Sequence, residues 1–168
     1  MAKSKLVPPH GSKTLKPLLL KGDEKKAEQA KAKTLKRVPI TSREAGDLIM
    51  LGIGGFTPLN GFMGKADWKS CCATMKLPSY KNLFWPIPIT LSADKKLADS
   101  IKVGEEVALY SEEYKTVMAT MKVKEKYKID KKFECRHVYK TTELDHPGVA
   151  MVMDQKEINL AGPVKVLS

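Results

Sequence analysis

The stretch GIGGFTPLNGFMG, residues 52–64, sets five glycines among thirteen positions, with Phe56, Pro58, Leu59, Phe62 and Met63 between them. A phosphate-cradling turn here would imply a nucleotide-binding α/β sheet; a purely structural turn would not. A P-loop ends in Gly-Lys-Ser/Thr, because the lysine reaches the terminal phosphates and the hydroxyl holds magnesium. Here Gly64 and Lys65 are followed by Ala66. A dinucleotide fingerprint needs a strand before it and a third glycine three residues after the second. Thr57 stands at that spacing from Gly54, and a helical pattern precedes it. The stretch therefore reads as a structural loop, its glycines allowing positive φ or close backbone approach and its apolar side chains holding it down.

Outward from the loop, TSREAGDLIMLG (41–52) opens with Thr41 and Glu44 at capping-box spacing and closes on Gly52 as an expected left-handed cap. Ala45, Leu48, Ile49 and Gly52 would share one face. A second helix is expected from about Lys65 through WKSCCATMK to Leu77, stopped by Pro78. Towards the start, residues 1–22 are broken by Pro8, Pro9, Gly11 and Pro17 and read as an extended arm anchored by Leu15, Leu18 and Leu20. Residues 23–37 read as a basic surface helix, with acids in its first turn and lysines in its last.

After residue 80 the pattern turns to strands. FWPIPITL (84–91) alternates, with Trp85, Ile87, Ile89 and Leu91 on one face, and its prolines leave one edge unpaired. Residues 102–129 read as a hairpin turning at SEEY, with Val117, Ala119, Met121 and Val123 alternating after the turn. Asp130 would cap a helix over DKKFECRHVYKT. PGVAMVM (147–153) and INLAGPVKVL (158–167) read as a final hairpin. Helices early and antiparallel strands late give an α+β class with a small curved sheet or barrel.

The chain has 168 residues, enough to bury roughly 70% of its unfolded surface in one domain without disulfides. Its net charge is +11, and residues 1–40 hold a surplus of eight positive charges, so the rest is nearly neutral. A basic arm can attract nucleic acid, an acidic membrane or an anionic substrate. With no aromatic residue between Met1 and Ile40 to stack on bases, a solvated lysine-rich helix is the preferred reading and nucleic acid is not an expected partner. Cys71, Cys72 and Cys135 have no metal-ligand spacing, and the apolar run PLLL is too short for a leader core. A reducing, cytoplasmic setting without a membrane anchor is the expectation. His10, His137 and His146 are scattered; Glu134 and His137 would form a surface pair, and His146 would precede a turn.

The segment GIGGFTPLNGFM resembles the Gly-x-Phe-x-Pro-Leu-x-Gly-Phe-Met signature of the sulfate adenylyltransferases, or ATP sulfurylases, matching at Gly54 or Gly55, Phe56, Pro58, Leu59, Gly61, Phe62 and Met63. LVPPHGS, LKPLLL, TSREAGDLIMLG, FWPIPITL, TTELDHPGVAMV and LAGPVKVL extend the resemblance in order along nearly the whole chain, nearest to the bacterial form with sulfurylase activity alone. The resemblance implies a PUA-like N-terminal domain, a small β-pseudo-barrel with flanking helices, filling residues 1–168. It also implies a parent enzyme that joins ATP and sulfate, with magnesium, into adenylyl sulfate and pyrophosphate, or runs the reverse. The family's Gln-x-Arg-Asn, His-x-x-His and Gly-Arg-Asp motifs, on a following α/β domain, are absent from these residues. No catalytic, cofactor-binding or metal residue is thus expected in this chain, and the isolated chain is expected to be inactive. Its expected partner is that catalytic domain, within a homo-oligomer, with the loop from Gly54 to Met63 supporting the domain junction. The alternatives are an RNA-binding PUA-type module and a separate non-catalytic subunit.

Overall fold

In a computed structural model, which describes residues 7–168, the arm runs without helix or strand to residue 18 and then docks. Leu18 N–H donates to Leu51 O and Leu19 N–H to Gly52 O, while Leu20 N–H and Val166 N–H complete a short parallel bridge. Leu15 stays exposed, so Leu18, Leu19 and Leu20 are the anchors. The first six residues of the predicted arm lie outside the described residues.

Helix α1 spans Gly22–Ala32, with Asp23 and Glu24 in its first turn and Lys31 in its last, each sign complementing the helix dipole. It ends well before the expected residue 37, because Lys36–Ile40 is strand β1. Charge places Lys36 and Arg37 with the helix, yet Val38 and Ile40 are inward and Pro39 is tolerated because β1 is the sheet's edge. Nor is α1 merely a solvated face. Glu28 is buried and accepts from Lys31, Thr120 and Lys165 at 2.6, 2.7 and 3.0 Å.

Burial pushes the Glu28 carboxyl up, but the hydrogen bonds from Lys31, Thr120 and Lys165 together outweigh it and hold the group at about 2. A depressed folded pKa contributes stability above the unfolded value near 4.5 that is lost as pH falls towards 2. In urea titrations, Glu28→Gln is expected to cost about 2–3 kcal/mol at pH 7 and little at pH 2. An equal loss at both pH values would show that packing, not charge, is what Glu28 contributes.

Helix α2 (Ser42–Ile53) is followed by the two-residue β2 (Gly61–Phe62), α3 (Lys65–Thr74), and the small hairpin β3 (Lys76–Leu77) and β4 (Leu83–Phe84). α3 ends at Thr74 because Met75 turns left-handed, three residues before Pro78. The expected strand over 84–91 is mostly absent: Pro86 and Pro88 cannot donate to a ladder, and only its ends pair, Phe84 within β4 and Leu91 at the start of β5 (Leu91–Ala93). Ile87 accordingly points outward and is exposed.

The remaining elements are α4 (Lys95–Ser100), β6 (Glu106–Ser111), β7 (Thr116–Lys122), β8 (Glu125–Lys128), α5 (Lys131–Glu134), α6 (Pro147–Asp154) and β9 (Ile158–Val166). β6 and β7 form the expected hairpin, and both faces of β7 are buried because α1 covers the second. Asp130 caps α5 through Phe133 N–H, and the chain continues into a π-helical turn at Cys135–Tyr139. The expected last hairpin is corrected: PGVAMVM is α6, capped by His146 with Pro147 at its start, and it buries Val149 and Val152 beside Cys135. The sheet is not wholly antiparallel either, since β1 pairs parallel with β6.

Seven strands make one mixed sheet that curls towards a barrel, in the order β1-β6-β7-β9-β2, with β5 and β8 also on β9. Residues 158–161 of β9 pair with β5 and β8; from Gly162 onward it pairs with β2 and β7. The α+β class is the observed one, a curled mixed sheet with flanking helices. Inside lie Leu48, Leu51, Leu91, Ile101, Leu109, Met121 and Leu160, all nearly or fully out of solvent.

Candidate functional site

The loop after α2 is held from both ends. Thr41 accepts from Glu44 N–H, and Glu44 Oε2 accepts in return from Thr41 N–H at 2.8 Å, closing the capping box. Glu44 Oε1 also accepts from Ser92 N–H and Oγ–H at 2.8 and 3.2 Å, which ties α2 to β5. At the other end the left-handed cap is Gly54 (φ 82°), two residues beyond the expected Gly52, which lies within the helix against Val166 and Leu19.

Each signature residue has a structural task. Gly54 needs its positive φ, and a Cβ there would sit 3.1 Å from Pro17 N. Gly55 and Phe56 N–H donate to Met50 O, Thr57 N–H to Gly54 O, and Leu59 N–H to Phe56 O. Thr57 Oγ1 donates to Gly54 O at 2.7 Å and accepts from Lys16 N–H, fastening the arm; the Thr57–Pro58 bond is cis and Pro58 is buried. Leu59, Phe62 and Met63 enter the core. Met63 N–H donates to Ile89 O, and Met63 O accepts from the Tyr127 hydroxyl at 3.0 Å. The N–H groups of residues 54–57 and of Leu59 are thus turned onto the protein itself and form no cradle for a phosphate.

Gly61 marks the tightest crossing. A Cβ at Gly61 would lie 2.0 Å from Gly162 O, and one at Gly162 would lie 2.0 Å from Lys122 O. β2, β9 and the end of β7 pass each other with no room for a side chain.

Two hollows flank the loop. One, of about 460 Å³, lies beside Asn60–Gly64 and is bordered by Asp67, Tyr80, Lys124 and Glu125. Two of its polar groups are committed: Asp67 Oδ1 accepts from Ser79 N–H, and Glu125 Oε2 from Lys65 N–H. The other, a groove of about 650 Å³ beside Gly55–Thr57, is mostly apolar and runs between Phe56 and the 84–89 segment. Phe56 stands edge-on to Trp85 with centroids 5.8 Å apart, and His10 Nε2 donates to Phe84 O at 2.7 Å. Phe84 and Ile87 are more than half exposed at its lip. Asp47 is the carboxylate on this groove; Arg43 Nη1 donates to it at 3.2 Å, while Arg43 Nη2 donates to Thr90 O.

The signature residues Gly54, Gly55, Phe56, Pro58, Leu59, Gly61, Phe62 and Met63 form one turn and strand between α2 and α3. The groove opposite them, with Asp47, Phe84 and Ile87, was not foreseen; its signal was an apolar, proline-interrupted segment that cannot complete a strand. The expected surface pair of Glu134 with His137 is corrected. Glu134 turns inward, accepts from Trp68 Nε1–H at 2.6 Å, and is pushed up by burial. His137 instead stacks on Phe133 and donates to its carbonyl oxygen. Cys71, Cys72 and Cys135 are buried free thiols, and burial raises all three, Cys71 to about 12, leaving none as a ready nucleophile. Among the described residues no three His, Cys, Asp or Glu side chains gather as a metal cluster, and no helix is long and apolar enough to cross a membrane.

Comparison with known proteins adds three findings. A family model described as a PUA-like domain matches residues 7–168. Proteins named sulfate adenylyltransferase are similar along nearly the whole chain: 65% identical over 98% of it in Syntrophobacter fumaroxidans, 60% over 97% in Chlorobaculum tepidum and 59% over 98% in Thiobacillus denitrificans. The chain spans about 40% of the length of each of these relatives. Among solved structures, a hexameric APS kinase from Thiobacillus denitrificans superposes with a TM-score of 0.71 at 26% identity, over 98% of this chain and 27% of that one.

Proposed function

The chain belongs to the PUA-like domain family, and from that premise we propose that it is the non-catalytic support domain of a sulfate adenylyltransferase. The observation that carries this reading is identity of 55–65% to enzymes of that name across nearly the whole chain. In the full enzyme, sulfate would attack the α-phosphorus of ATP in line, and cationic groups with magnesium would stabilise the departing pyrophosphate. Those groups would lie on the part of the enzyme this chain does not match. This chain's own contribution is rigidity: the signature loop, with its N–H groups turned inward and Leu59, Phe62 and Met63 in the core, presents Gly55 and Phe56 as a fixed edge. The catalytic part would rest against that edge, within a homo-oligomer, as the structural neighbour is a hexamer. The three buried free thiols are in keeping with a reducing, cytoplasmic setting.

The chain alone, mixed with ATP, sulfate and magnesium, is expected to release no pyrophosphate above the buffer rate in a coupled assay. Steady magnesium-dependent turnover would overturn the support reading.

A further inference from the structure

We propose that the 650 Å³ groove beside Phe56 seats a segment of the enzyme's catalytic part in which an apolar side chain is followed by a lysine or arginine. The apolar group would enter between Phe56, Phe84 and Ile87, and the cation would pair with Asp47. This rests on the support-domain reading above and names where that support is given.

Four observations converge. The groove leaves Phe84 57% and Ile87 52% exposed, beside a solvent-exposed Met50, on a surface that otherwise carries many charges. Apolar exposure of that kind marks an interaction surface. Its walls are apolar and include no lysine or arginine, so it suits neither a phosphate nor a nucleic acid. The acid it does hold is incompletely matched: Arg43 divides its donors between Asp47 and Thr90 O, with Glu44 Oε1 a further 3.7 Å away. A second cation, arriving from outside, completes the charge. The groove is also built on the exposed edge of the signature loop, so an occupant there is fixed relative to the core through Thr57, Met63 and the arm.

The electrostatics give the proposal a signature that simple packing lacks. Burial pushes the Asp47 carboxyl up to about 6, Arg43 opposing and Glu44 adding to the rise, with His10 the titratable group across the groove. A raised folded pKa means stability that is present below the unfolded value near 3.8 and lost as pH rises through 6. The ionised group is therefore a burden to the free chain at pH 8 and an asset only to the assembled enzyme. Asp47→Asn is expected to raise the melting temperature of the free chain at pH 8 while weakening docking.

The test replaces the matched region of the Syntrophobacter fumaroxidans enzyme with this chain and compares that chimera with the free chain. Amide hydrogen exchange at Phe84, Trp85, Ile87 and Ile89 is expected to be about tenfold slower or more in the chimera. Ile87→Asp, at a half-exposed site that leaves the fold intact by its melting curve, should remove the difference; Asp47→Asn should reduce it. Val103→Ser, an exposed apolar position outside the groove, should not change it. A chimera that makes adenylyl sulfate with groove exchange unchanged overturns the groove proposal and leaves the support reading standing. A chimera that is protected at the groove yet inert overturns the support reading and leaves the docking. Protection that rises with concentration in the free chain would instead assign the groove to a second copy and overturn the proposal.

Discussion

Gly61→Ala is expected to destabilise the chain by about 4 kcal/mol or more, lowering its melting temperature by roughly 8–16 °C or preventing folding altogether. The reason is placement, not flexibility. The added methyl would sit 2.0 Å from the Gly162 carbonyl oxygen, and its next neighbours, Gly162 C and Pro163 Cα, are backbone atoms that no side-chain rotation can move. Relief requires β2 to separate from β9, and with it Phe62 and Met63 leave the core. Gly46→Ala provides the control, because a Cβ at that helical glycine meets nothing within 4 Å and alanine favours the helix by roughly 1 kcal/mol. Thermal melts of the two variants should therefore shift in opposite directions. Equal and small shifts would mean that the β2–β9 crossing adapts.

Glu44→Ala is the second large expected effect, at about 3–4 kcal/mol in denaturant titrations: about 1 for the lost helix cap and the rest for buried donors left without an acceptor. Glu44 is 1% exposed, and its two oxygens serve Thr41 on one side and Ser92 on the other. Removing it unfastens α2 from β5 as well as from its own first turn. Glu44→Gln keeps the shape and one acceptor oxygen and should cost about half as much. The single variant Thr41→Ala, which removes the hydroxyl that accepts from Glu44 N–H and donates to Glu44 Oε2 but leaves Glu44 on Ser92, should cost about 1 kcal/mol. If Glu44→Ala proves no worse than Thr41→Ala, the contacts to Ser92 contribute nothing.

How much of this was legible in the sequence depended on the range of the interactions involved. Helix α2 was readable because Thr41 and Glu44 settle its start within a single turn. Asp130 marked α5 for the same reason. PGVAMVM is ambiguous in sequence because a seven-residue apolar run fits a buried strand as well as a short helix, and Pro147 directly after a capping residue fits a turn as well as a helix start. β1 was hidden because its pairing partner, Val107–Ser111, lies some seventy residues away and its sequence looks like the tail of a lysine-rich helix. The signature loop was legible as structure by elimination, since its glycines fit no phosphate motif. That Gly61 answers to Gly162 was not, because the constraint joins two strands a hundred residues apart. The groove escaped for a similar reason: Asp47, Phe56 and Phe84 meet only after α2 and the 84–89 segment have packed.

β9 has one more consequence. Its partners come from residues 61–62, 91–93, 119–121 and 125–128, and its last residues also meet Leu18–Leu20. On a translating ribosome, those segments must wait with open edges until residue 166 has cleared the exit tunnel, since the β6–β7 hairpin with its β1 neighbour and the small β3–β4 hairpin are all the sheet that can form earlier. The nascent chain thus passes through a long window in which its apolar interior is uncovered and chaperones have most to hold, and it closes in a single late step.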